Sequence, residues 1–263
     1  LDLEFSDADI ERYARHILLA EVGGIGQAKL RAARVLIVGA GGLGSPLILY
    51  LAAAGVGTIG IVDDDVVSLS NLQRQIAHAT AFVGSPKVAS AVQAAHGLNP
   101  GVTLQPHQVR LTAATAMALI APYDIVCDGT DNFAARYLLA DACHLAGKTL
   151  VSAAVLRFEA QLATFRPGTP CYRCLYPAPP PAGLVPSCAE AGVLGAVTGV
   201  AGTLQATEVL KEILGIGESL AGRLLLWDAL TASFRTIRFP RDPQCALCGD
   251  APTIHDLAAH HGG

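Results

Sequence analysis

Five side chains between positions 63 and 87 carry the chemistry most easily read from the sequence: Asp63, Asp65, Asn71, Arg74 and Lys87. Two carboxylates, an amide and two cations so close together suit work on a phosphate chain. Cations stabilise charge that develops on phosphoryl oxygens, and a carboxylate can hold Mg2+. Taken singly, each such residue serves equally well in a surface pair or a helix cap. Hydride transfer needs a dry, flat nicotinamide pocket, so an NAD(P)-dependent dehydrogenase is the weaker reading. A second group is Cys171, Cys174, Cys245 and Cys248, two C-x-x-C pairs whose first members stand 74 residues apart. Four thiolates on two tight turns suit tetrahedral zinc with no ligand position left open, hence a structural metal. A redox C-x-x-C normally stands alone at a helix start.

The elements that must position these groups are legible around them. Arg34 to Val38 reads as a buried strand, Gly39, Gly41, Gly42 and Gly44 as a glycine turn, and the small residues after it as a helix. This is G-x-G-x-x-G in its strand–turn–helix context, where phosphate approaches the amides of a helix N-terminus. A second strand, 58–62, ends on three aspartates, and Asp63 is placed to accept ribose hydroxyls. A helix from Lys87 to Leu98 stops at Asn99-Pro100. Lys87 has the wrong charge for the N-terminal end of its helix dipole, which points it toward an anionic ligand. A strand over 124–128 leads to Gly129-Thr130-Asp131-Asn132, at the sheet edge where α/β folds bind ligands. From local pattern Asp131 serves equally as the N-cap of the helix starting near Phe133.

Composition bounds the alternatives. The chain has 263 residues, 52% of them apolar and 15% charged, with net charge −4. That suits a compact globular protein and gives no electrostatic footprint for nucleic acid or an anionic membrane. The longest weakly polar stretch, 185–205, falls short of the roughly 20 apolar residues a membrane span needs. No basic segment followed by an apolar one opens the sequence. Seven cysteines in this pattern fit a reducing cytoplasm better than a disulfide framework. Cys127 and Cys143 read as core thiols. Cys188 stands apart, at a loop-to-helix junction where a thiol's pKa can fall.

The remaining segments extend the pattern. Residues 1–33 read as a helical arm with a Ser6/Asp9 cap and Ile10, Tyr13, Ile17 and Leu18 on one face. A short strand is expected at 102–104 and a helix near 113–120. Period-two strands at 150–154 and 159–165 predict antiparallel pairing. A long helix over 192–214 and a hairpin of 223–230 with 233–238, Trp227 half-buried, follow. The expected fold is α/β: a Rossmann-like, mostly parallel sheet with a helical arm and an antiparallel extension carrying the zinc. The parts are 1–33, 34–150, 151–250 in the same compact domain, and a tail, 251–263.

Three ungapped strings carry a resemblance: Gly39-Ala-Gly-Gly-Leu-Gly-Ser-Pro, Leu51-Ala-Ala-Ala-Gly-Val-Gly, and Asp65-Val-Val-Ser-Leu-Ser-Asn-Leu-Gln-Arg-Gln. They closely resemble the ThiF/MoeB family, bacterial relatives of ubiquitin-activating enzymes that adenylate a ubiquitin-like sulfur carrier. The resemblance implies ATP with Mg2+, held by the 39–44 turn, Asp63, Asp65, Asn71, Arg74, Gln75, Lys87 and the Asp-Gly-Thr-Asp-Asn motif ending in Asp131 and Asn132. It favours the ligand role for Asp131. It also implies a homodimer in which Arg15 reaches the phosphates of the neighbouring subunit, although His16 stands where the family usually has Gln. The partner implied is a MoaD- or ThiS-type carrier with a C-terminal Gly-Gly. At the position of Cys188, members use a sulfur-transfer or thioester cysteine, or show no covalent role. Some members continue into a rhodanese domain. This sequence, which starts without Met, stops at Gly263 instead, so a separate sulfurtransferase or cysteine desulfurase is the expected sulfur donor. A non-catalytic scaffold that only docks a carrier is the rival reading, and it would be expected to lose some of Arg74, Lys87 and Asp131.

Overall fold

The computed structural model describes residues 1–181 and 191–260, so Cys188 lies outside the described residues. In chain order the elements are α1 Asp7–Ile17, α2 Gly23–Ala32, β1 Arg34–Val38, α3 Gly44–Ala53, β2 Thr58–Val62, α4 Lys87–Leu98, β3 Thr103–His107, α5 Ala116–Ile120, β4 Ile125–Asp128, α6 Phe133–Leu145, β5 Thr149–Leu156, β6 Glu159–Phe165, α7 Tyr172–Leu175, α8 Gly195–Leu214, β7 Arg223–Asp228 and β8 Ser233–Arg238. All eight strands form one sheet in the order β3-β2-β1-β4-β5-β6-β7-β8. Strands β1 to β5 pair in parallel. From β6 onward the pairing is antiparallel.

Alternation along β1 explains the layering. Val35 and Ile37 face a core with Leu47, Ile48 and Leu51 of α3 and Val209 of α8. Leu36 and Val38 face the opposite core, with Ile120 of α5 and Leu138 and Leu139 of α6. A strand covered on both faces has no polar side, which is why it reads as a continuous apolar run. Each of these buried aliphatic side chains contributes about 1.5–3 kcal/mol of transfer free energy. The chain leaves β1 toward β2 on one side and β4 on the other, so a crevice opens at the carboxyl ends of β1 and β4.

Several sequence expectations shift. Strand β5 is parallel to β4, so the change of direction falls between β5 and β6, one strand later than the period-two pattern suggests. Alternation reports which face is buried and carries no information on a neighbour's direction. Strand β3 runs to His107, and α5 starts only at Ala116. In the arm, Ser6 and Asp9 form the expected capping box. Only Tyr13 of the apolar face of α1 is buried, however, while Ile10 and Leu18 are exposed. Trp227 is half-buried and stacks on Phe234.

Candidate active site

The glycine turn joins β1 to α3. Gly39 takes φ +99°, and a Cβ there would meet the Gly129 carbonyl oxygen at 2.6 Å. At Gly44 a Cβ would lie 1.9 Å from the Gly39 oxygen. The turn closes only because both positions lack a side chain. Its first two N–H groups are occupied: Gly39 donates to Val62 O and Ala40 to Asp63 Oδ2, each at 2.8 Å. The N–H groups of Gly41, Gly42 and Leu43 have no partner among the described residues and line the crevice at the start of α3. Unpaired amides at a helix start attract anions.

Around them a cavity of about 1130 Å³ gathers most of the sequence-derived residues. Asp63, at the end of β2, also accepts from Asp65 N–H at 2.9 Å. Burial raises its carboxyl above the ordinary range, against the opposing pull of Lys87 and of these two backbone donors. Lys87 is buried at the first residue of α4 and donates to Asp65 Oδ2 at 2.8 Å. Among the described residues the Arg74 side chain reaches the Ser70 carbonyl alone, at 3.3 Å, and it lines the cavity. Gln75 is buried on the wall, and its Oε1 has no partner among the described residues. The Asp63, Asp64 and Asp65 carboxylates lie within 4.8 Å of one another.

Across the crevice, Asp131 is exposed and lines the cavity. The N-cap of α6 is Asn132, whose side-chain oxygen accepts Ala135 N–H at 2.8 Å. Asp131 is therefore not the cap, and its carboxylate accepts one long bond, from Asn132 Nδ2 at 3.5 Å. Its loop is held from beneath. Buried Asp128 accepts from Thr130 N–H at 2.9 Å, Thr130 Oγ1 at 2.6 Å, Ser152 Oγ at 2.7 Å and Arg136 Nε at 3.2 Å. Arg136 adds a bond to Thr130 O at 2.9 Å. Sequence reasoning passed over Asp128, Arg136 and Ser152, because a buried ion pair eight residues apart has no pattern of its own. Val109 to Thr112, Thr198 and His260 also line the cavity, brought from three distant segments.

Two predicted residues stand apart. Arg15 is exposed on α1, Asn71 is half-buried with its carbonyl accepting Arg74 and Gln75 N–H, and neither lines this cavity. The four paired cysteines cluster elsewhere, with all Sγ atoms within 4.8 Å of one another. Their separations of 3.9 Å (Cys171–Cys174), 3.5 Å (Cys171–Cys245) and 3.3 Å (Cys174–Cys248) bracket the tetrahedron edge. That edge is about 3.8 Å for Zn–S bonds of about 2.3 Å. The donor set fits a closed zinc site. Cys127 and Cys143 are buried core thiols, Cys127 raised well above its usual pKa by desolvation.

Comparison with known proteins places this geometry in context. A family model described as "ThiF family" matches residues 13–247. The chain is 56% identical over 254 residues to the adenylyltransferase and sulfurtransferase MOCS3 of Bos taurus, covering 96% of this chain but 56% of that protein. It is 49% identical over 261 residues to the sulfur carrier protein adenylyltransferase of Thermus thermophilus, covering 97% of this chain and 96% of the relative. The crystal structure of E. coli MccB superposes with a TM-score of 0.82 at 22% identity, over 95% of this chain and 75% of that one. The last likeness bears on the fold alone.

Proposed function

The chain belongs to the ThiF family, and on that premise we propose that it is an adenylyltransferase that activates the C-terminal Gly-Gly carboxylate of a ubiquitin-like sulfur carrier. One observation carries this reading: the unpaired turn amides, Arg74, Lys87 and Asp131 meet in one cavity large enough for a nucleotide and an extended peptide end. Bound ATP would lay its ribose against Asp63 and its phosphates along the amides of Gly41, Gly42 and Leu43. The carrier's carboxylate attacks the α-phosphorus, a C–O–P bond forms, the bond to the β-phosphate oxygen breaks, and pyrophosphate leaves. No general base is needed, because a carboxylate is already deprotonated at neutral pH.

Arg74 and Lys87 stabilise charge on the phosphates, with Arg15 reaching in from the second subunit of a homodimer, while Asn71 holds the Arg74–Gln75 turn through its carbonyl. Gln75 and Asn132 complete the nucleotide site, Asn132 while capping α6. Asp131 would hold Mg2+, whose charge would neutralise the triphosphate. The four cysteines would hold a structural zinc, which would tie the segment after β8 to the α7 turn without entering the chemistry. A sulfurtransferase or cysteine desulfurase activity would supply the sulfur, and Cys188 either forms a covalent link with the carrier or takes no part. The site suits a cytoplasmic enzyme acting on a protein carrier, not on nucleic acid or a membrane. No helix among the described residues is long and apolar enough to cross a membrane.

Pyrophosphate exchange into ATP, run with candidate carriers and with the same carriers lacking the last glycine, tests the proposal. Exchange that requires an intact Gly-Gly terminus is the expected result. Absence of exchange with every carrier, from a folded and zinc-loaded protein, would leave a docking scaffold as the function.

A further inference from the structure

Ala40, the second residue of the glycine turn, is clamped from both sides. Its N–H goes to Asp63 Oδ2 at 2.8 Å, and its carbonyl meets His78 Nε2, also at 2.8 Å. The other ring nitrogen, Nδ1, lies 3.0 Å from Ser90 Oγ, inside α4 and one turn on from Lys87. Histidine and serine are both buried, at 8% and 2% exposure. A carbonyl only accepts, so Nε2 carries the proton, and in the neutral ring Nδ1 then accepts from the serine hydroxyl. Burial favours that neutral form by lowering the pKa of His78.

The need for such a clamp follows from the turn itself. The Gly41 and Leu43 carbonyls enter the first turn of α3, accepting Ser45 and Leu47 N–H. Ala40 lies too early for a helical partner, and the peptide that follows it carries the N–H of Gly41. If that peptide flipped, the amide would turn away from the phosphates and a carbonyl would face them, exchanging attraction for repulsion. We propose that His78, oriented by Ser90, is a positioning residue for ATP: it holds the Ala40 carbonyl so that the Gly41 amide points at the phosphate chain, and it couples the turn to the helix that presents Lys87. This rests on the nucleotide reading of the cavity.

The test is binding of a fluorescent ATP analogue, together with the KM values for ATP and for the carrier, on the full chain. His78→Leu removes the donor, His78→Gln keeps an N–H near the Nε2 position, and Ser90→Ala frees the tautomer. Loss of one buried hydrogen bond and its orientation should weaken ATP about tenfold in His78→Leu and about threefold in Ser90→Ala. The carrier KM should stay within about twofold, and glutamine should restore most of the ATP affinity. Equal ATP affinity in wild type and His78→Leu, or equal losses in the leucine and glutamine variants, would overturn the inference. Should the leucine variant not fold, Ser90→Ala with unchanged ATP affinity overturns it alone. A wild-type chain that fails to bind the analogue would instead remove the nucleotide reading itself.

Discussion

At the scale of single residues, stability and activity separate cleanly around the α6 loop. Asp131 is exposed and caps nothing, whereas its neighbour Asn132 supplies the cap. Asp131→Ala should therefore change unfolding free energy by less than about 0.5 kcal/mol, yet abolish pyrophosphate exchange. Asn132→Ala should cost about 0.5–2 kcal/mol in urea denaturation through loss of the cap. Arg74, whose side chain makes one 3.3 Å backbone contact among the described residues, is open to the proposed substrate. Arg74→Ala should lower kcat by about 10²–10³-fold, the usual loss when one donor to developing charge is removed. Normal turnover in both Arg74→Ala and Asp131→Ala would contradict the assigned chemistry.

Elements set which glycines matter. The turn between β1 and α3 closes on itself so tightly that Gly44→Ala places a methyl carbon against the Gly39 oxygen. That contact is backbone on both sides and cannot rotate away. The variant should lose more than about 2 kcal/mol of stability, along with ATP binding. Gly97, exposed inside α4 with nothing within 4 Å of an added Cβ, is the matching control. Gly97→Ala should stabilise the protein by about 0.5–1 kcal/mol, since the helix is retained and the unfolded chain loses freedom. Opposite signs at two glycines in neighbouring helices would separate close approach from simple flexibility.

For the whole molecule, the two C-x-x-C turns join distant parts of the chain. Arg173, between Cys171 and Cys174, grips buried Asp141 of α6 with two bonds of 2.8 Å, and His260 of the tail reaches the same carboxylate at 2.8 Å. Zinc would thus tie the tail to the wall of the cavity. Chelation, or Cys248→Ser, should release about one zinc per chain and lower the thermal midpoint by about 10 °C, roughly 3 kcal/mol of lost stability. A chelator without effect on the midpoint would argue against a structural metal. The exposed apolar residues Ile10, Leu18, Leu19 and Ile25 of the arm leave room for a second subunit. If Arg15 acts across a dimer, mixing inactive Arg15→Ala and Asp131→Ala chains should restore about a quarter of wild-type turnover, because half the dimers are mixed and each holds one intact site. No recovery in proven mixed dimers would place Arg15 outside the active site.

The sequence by itself determined the glycine-turn half of this protein. Strand, turn, helix and Asp63 are consecutive or nearly so, and local backbone rules and apolar runs carry that information along the chain. The four clustered cysteines were legible for the same reason, each pair lying within one turn. Only the tertiary structure decided what sits across the crevice and beneath it. Asp128 meets Arg136 and Ser152 there, His78 meets Ala40, and His260 meets Asp141. It also decided the direction of β5, and that Asn132 rather than Asp131 caps α6. These outcomes depend on which segments a folded sheet brings within 3 Å of each other. Contacts between residues far apart in sequence leave no local periodicity, so a buried polar network becomes visible only once its partners are in place.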